Sequence, residues 1–165
     1  MNKNCSNDHE VLQDLPEALL RALGQAFADL PAPAASAERI LPHPGAYVLA
    51  IDLGQPAAIS LPRQPEILLP AGWYLYCGSA RGPGGLAARL GRHLAAEKKQ
   101  RWHVDRLTVS ARRRIALPFP GDMTECRLVA AIAAMPQFSQ PAPGFGSSDC
   151  RICKSHLLKW QGAPE

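Results

Sequence analysis

The stretch GWYLYCGSARGPGGLAARLGRHL, residues 72–94, confines the possible folds more tightly than any other segment of the chain. GWYLYCGSA is apolar and aromatic, the composition of a buried strand. The glycine- and proline-bearing turn RGPGG stops it. Leu86, Leu90, His93 and Leu94 then recur at helical spacing, with Arg89 on the flank of that face. A strand handing over directly to an amphipathic helix calls for a sheet with a helical layer packed on it. The neighbouring segments agree. GAYVLAIDL and AAIS read as two further short strands upstream, parted by proline-bearing turns, and RRRIALPF as another downstream. DMTECRLVAAIAAM reads as a second helix with Leu128, Ile132 and Met135 on its buried side. The expected class is α+β, a small, mostly antiparallel sheet flanked by helices.

Ahead of this block, Leu12, Leu15, Leu19, Leu23, Phe27 and Leu30 form one apolar stripe at spacings of three and four, ended by the linker PAPAAS. Residues 1–40 are therefore expected to be a helical arm and linker, and 41–165 a single domain. The arm must hide its stripe, and docking against its own domain is preferred over a partner. Its removal is expected to destabilise the domain modestly.

With 165 residues, 47% hydrophobic and 19% charged, the chain has globular rather than disordered composition. The start, MNKNCSNDHE, lacks the apolar core of a secretory signal, and no stretch is long enough to span a bilayer. The expectation is a cytoplasmic protein without a membrane partner. Cys5, Cys77, Cys126, Cys150 and Cys153 are odd in number, so reduced thiols are expected rather than a disulfide framework.

The net charge of +4 is unevenly spread. Residues 1–40 are acidic, with Lys3, Arg21 and Arg39 against Asp8, Glu10, Asp14, Glu17, Asp29 and Glu38. Between Arg81 and Arg114 the balance reverses. Arg81, Arg89, Arg92, Lys98, Lys99, Arg101, Arg106, Arg112, Arg113 and Arg114 there face only Glu97 and Asp105. Such a stripe suits a polyanion, or simply a well-solvated surface.

Tyr47 sits in GAY at the start of the first strand and Tyr76 in YCG near the end of the third. Paired strands would bring the two phenols to one end of the sheet, beside the helix carrying Arg89, with Gly78 allowing close approach of backbone. The ordered set GAY, WYLYCGSA, GGLAARLGRHL, WHVD and FGSSDCRICKSHL resembles the GIY-YIG nuclease superfamily, in its Uri-type branch of small stand-alone proteins. The likeness runs from about Gly45 to Trp160. Ala46 and Cys77 stand where the name-giving tripeptides carry isoleucine, and GPGG lengthens the turn before the arginine helix.

The resemblance implies a metal-dependent endonuclease, a phosphodiester hydrolase acting on nucleic acid, DNA ahead of RNA, with Mg2+ or Mn2+. Tyr47 would be the general base, Tyr76 its hydrogen-bonding partner, Arg89 the cation on the scissile phosphate and Glu125 the metal ligand. A free phenol, with a pKa near ~10, is a poor base at neutral pH, so Arg89 and the metal are expected to lower it. Arg81, Arg92, His93, Lys98, Lys99, Arg101 and His103 are the expected nucleic-acid contacts. The alternative on the same fold is a non-catalytic nucleic-acid-binding module, zinc-stabilised in one version.

Plainer readings stand beside these. Both tyrosines can be strand residues packing the core edge. DMTE can be a capping box in which Asp122 and Glu125 tie down the helix start. His93 falls on an apolar face and suits a buried, hydrogen-bonded histidine. In WHVD, His103 and Asp105 alternate in a segment with little reason to bury polar groups. Cys150, Cys153 and His156 have zinc-compatible spacing, with His103 or Asp149 as a conceivable fourth ligand. Zinc is ranked below Mg2+ or Mn2+, because paired knuckles are absent and buried thiols with a locally bonded histidine explain the same block.

Overall fold

The chain orders its elements as α1 (Glu17–Ala26), β1 (Gly45–Leu53), β2 (Ala57–Ile59), β3 (Ile67–Leu69), β4 (Gly72–Ala80), α2 (Gly85–Leu94), α3 (His103–Ser110), β5 (Arg113–Pro120), α4 (Glu125–Ala133), β6 (Phe138–Ser139) and β7 (Leu157–Trp160). The computed structural model describes residues 15–162. The part of the expected arm helix that includes Leu12 lies outside them.

Five strands form one sheet in the order β5-β1-β4-β7-β6, every neighbouring pair antiparallel. The mixed α+β architecture with a small antiparallel sheet and flanking helices is thus present. β1 is buried along its whole length because both faces of the sheet are covered. Its alternate residues enter two cores. Ala46, Val48 and Ala50 pack with Leu19 and Leu23 of α1 and Leu128 and Ile132 of α4. Tyr47, Leu49 and Ile51 pack with Leu86 and Leu90 of α2 and Val104 and Leu107 of α3. The arm stripe is accordingly docked in cis, with Leu19 and Leu23 fully buried and the Phe27 ring 5.1 Å from Phe119.

Several expectations need correction. AAIS supplies β2, which pairs with β3 as a separate two-stranded ribbon and not with the main sheet. Ile59 and Leu69 instead close the α2–α3 face. WHVD opens a helix, and Asp105 is completely buried in it. The helix begun by DMTE is capped by Thr124, whose Oγ1 accepts the Arg127 N–H at 3.3 Å, so Asp122 does not cap it. That helix ends at Ala133, leaving Met135 to pack on the core from beyond its end.

Candidate functional site

The pairing of β1 with β4 sets Tyr47 opposite Gly78 and Leu49 opposite Tyr76. The two phenol rings then lie 6.4 Å apart, centroid to centroid. A Cβ on Gly78 would collide with the Tyr47 ring, so glycine there is what lets the phenol lie across the strand. Tyr47 is 2% exposed and its hydroxyl is 2.8 Å from Nε2 of His93, on α2. His93 is itself buried, as its plainer reading anticipated.

Burial dominates the ionisation of this group. It raises Tyr47 well above the ordinary phenol value and Tyr76 to about 12, outweighing the opposite pull of Arg89. Arg89 does pull both phenols down, as expected, but burial is the larger effect. His93 is pushed down to about 3, first by desolvation and then by Lys98. Asp105 lies 3.9 Å from Nδ1, too far for a hydrogen bond, so burial prevails and the ring is neutral at pH 7. Both phenols are protonated there at pH 7.

The α2–α3 connection forms one wall of a cleft of about 750 Å³. Arg89, Arg101, Trp102 and His103 line it together with Tyr47, Tyr76, His93 and Glu125. Trp102 is held by the start of α3, where the buried Asp105 carboxylate accepts the Arg101 and Trp102 N–H groups at 2.8 and 3.0 Å. The same carboxylate takes two bonds from Arg92, at 2.6 and 3.2 Å. Arg92 is a structural clamp that also stacks 4.6 Å from the Trp102 ring centre.

Much of the basic stripe is committed in this way. Arg81 donates to the carbonyls of Gly121 and Met123, outside the cleft. Lys98 donates to His93 O and Thr108 Oγ1, and burial lowers it to about 8. Arg112 and Arg113 converge on the buried Asp52, and Arg114 donates to the carbonyls of Thr108 and Ala111. Lys99 is exposed but does not line the cleft, and its carbonyl accepts Arg92. Of the expected contacts, His93, Arg101 and His103 do line it, and Arg89 and Arg151 join them.

The opposite sequence block completes the cleft. Residues 140–156 contain no helix or strand, a length of irregular chain that needs its own anchors. Phe145 plugs the core, and Gly146 passes so close to Tyr76 that a side chain there would strike the ring. Cys150 and Cys153 on this loop meet His156, next to β7, and Cys126, in the first turn of α4. The candidate ligand atoms of these four residues all lie within 4.8 Å of one another, and Cys126 Sγ is 3.5 Å from Cys150 Sγ. Ligands about 2.3 Å from a tetrahedral zinc stand about 3.8 Å apart, so this cluster is capable of coordinating it. Nε2 of His156 is buried without a hydrogen-bond partner. The Cys153 and Ile152 backbone N–H groups and His156 lower Cys150 to about 6, favouring thiolate. Burial instead raises Cys126, and raises Cys153 to about 12, so those two ionise readily only with a cation present.

The fourth member is Cys126, not His103 or Asp149, and that reverses the ranking of metals. Three thiolates and an imidazole are soft to borderline donors that select zinc, whereas Mg2+ and Mn2+ want oxygen. Among the described residues this is the cluster able to hold a metal, and Glu125 is outside it although adjacent to Cys126. Zinc is a fitting ion here, contrary to its low rank, and the expected Mg2+- or Mn2+-dependent endonuclease is set aside. With it go its hydrolase chemistry and the catalytic roles given to Tyr47, Tyr76, Arg89 and Glu125, though all four do line one cleft. A single cysteine beside a helix start, far from its partners in sequence, gave no spacing signal by which to find it.

No helix of the described residues is long and apolar enough to cross a membrane. A family model described as "Domain of unknown function DUF123" matches residues 46–165. That description carries no nuclease activity. No curated protein matches the chain, and no solved structure does.

Proposed function

We propose that this chain, which belongs to the family described as a domain of unknown function, DUF123, is a zinc-stabilised module that binds nucleic acid without cleaving it. The observation that carries this reading is the Cys126, Cys150, Cys153 and His156 cluster bordering a cleft lined by arginines. Zinc would tie the irregular 140–156 loop to α4 and β7, making the loop a fixed wall. Arg89, Arg101 and Arg151 supply attraction for phosphate, and the protonated Tyr76 hydroxyl supplies a neutral donor. DNA is the first ligand expected. Support for a GIY-YIG-like version of the fold comes from the paired β1 and β4, their facing phenols and the arginine helix that follows. Thiolate ligands favour a reducing compartment, which supports a cytoplasmic location.

Fluorescence anisotropy of a labelled oligonucleotide with zinc-loaded protein tests the reading. Binding should weaken linearly in log–log form as salt rises, because displaced counterions are released. The oligonucleotide should be recovered at full length. Absence of binding at low salt contradicts the reading.

A further inference from the structure

Two exposed apolar side chains line the cleft, and neither serves the core. Trp102 is 40% exposed, whereas Trp73 and Trp160 are 7% and 8% exposed. Ile152 is 84% exposed, between the candidate ligands Cys150 and Cys153. Both side chains sit on pinned backbone. The Trp102 N–H is held by Asp105, and the Cys153 N–H points to Cys150 Sγ at 3.3 Å. Arg92, fixed by Asp105 and Lys99 O, lies over the indole, as does Arg89 at 4.4 Å. Arg89 has no hydrogen-bond or ion-pair partner among the described residues, so it can turn to a phosphate without breaking one.

We propose that the cleft takes an unpaired polynucleotide strand in preference to a duplex, with Trp102 as a stacking platform for a base and Ile152 as an apolar wedge beside it. This rests on the reading of the chain as a nucleic-acid binder. A duplex presents base edges in its grooves while its base faces are already stacked, leaving an indole and an isoleucine without apolar partners. Unpaired bases offer their faces, and aromatic stacking with arginine support accepts any of them. An aliphatic wedge must pay to unstack the base steps of a duplex, a cost that an unpaired strand with its bases already free does not carry.

The test uses the full chain at constant low salt with oligo(dT), oligo(U) and a blunt DNA duplex of equal length. Anisotropy of the labelled oligonucleotide reads the affinity of every variant, and in the wild type tryptophan fluorescence reports mainly on Trp102, since the other two tryptophans are buried. The expected result is quenching by an unpaired strand of either sugar, with affinity at least about tenfold above the duplex. Trp102→Ala should remove most of that preference and Trp102→Phe keep it. Ile152→Ser, on an exposed side chain that folding does not need, should weaken the unpaired strand and leave the duplex unchanged. Equal binding of duplex and oligo(dT), or unchanged oligo(dT) affinity in both Trp102→Ala and Ile152→Ser, overturns the proposal while leaving nucleic-acid binding intact. If none of the three probes binds, the nucleic-acid reading fails together with it.

Discussion

Replacing Leu23 by alanine tests whether the amino-terminal arm is part of the core. Leu23 is fully buried in α1, in one cluster with Leu19, Phe119, Leu128 and Ile132. Truncating a leucine so enclosed removes its transfer free energy and leaves a cavity that the sheet and α4 cannot close, a loss of about 3 kcal/mol. With a urea m-value of about 2 kcal/mol/M, the unfolding midpoint should fall by about 1.5 M. Urea titration followed by circular dichroism measures the shift, and unchanged slope shows that the change is in stability. Arg21→Ala is the matched control on the same helix, because its ion pair with Glu17 is exposed and contributes about 0.5 kcal/mol or less. A Leu23→Ala loss no larger than that of Arg21→Ala would refute the docking of α1. The same burial bears on deletion of residues 1–40. Leu19, Leu23 and Phe27 together bury apolar surface corresponding to about 6 kcal/mol as an upper estimate, comparable to the whole stability of a small domain. A severe loss of stability is thus expected, not the modest one suggested by the linker.

The neutral His93 gives a pH dependence with a definite sign. Its folded pKa of about 3 lies below the ordinary 6.5, so its contribution is full above 6.5 and is lost as pH falls toward 3. The slope is about 1.4 kcal/mol per pH unit. Stability measured at stepped pH should therefore fall less steeply in His93→Gln than in the wild type over this window, and parallel curves would contradict the neutral buried ring. Gly78→Ala places a methyl group against the Tyr47 ring and should cost about 2–3 kcal/mol, whereas Gly82→Ala meets open space and should be near neutral. Thermal melts of the two variants check this, and equal melting temperatures would show that the Tyr47 ring yields freely.

What was legible in the sequence was the part governed by local periodicity. The strands β1 and β4, the helix α2 and the meeting of Tyr47, Tyr76 and Arg89 in one cleft all follow from residues close in sequence to a strand end or a helix face. α3 was hidden because its start is organised by Asp105, a buried carboxylate whose partners come from the chain before it and from α2. β6 and β7 are short, and they pair across an irregular loop that carries no period. The charge stripe misled in a different way. Arg92, Arg112 and Arg113 look like surface cations in sequence, but they neutralise two carboxylates buried by tertiary packing. Cys126 joins Cys150, Cys153 and His156 only because α4 packs beside the 140–156 loop, a fact of topology with no counterpart in local spacing.

The metal content of the purified chain tests the central claim most directly. Protein prepared without chelator should carry one zinc per chain by inductively coupled plasma mass spectrometry, and Cys126→Ser should lose it while Glu125→Gln keeps it. Cys126 belongs to the cluster able to hold the ion and Glu125 lies outside it. Zinc-free protein, or a Cys126→Ser variant that retains a full equivalent, would contradict the assignment of this cluster as a structural zinc site.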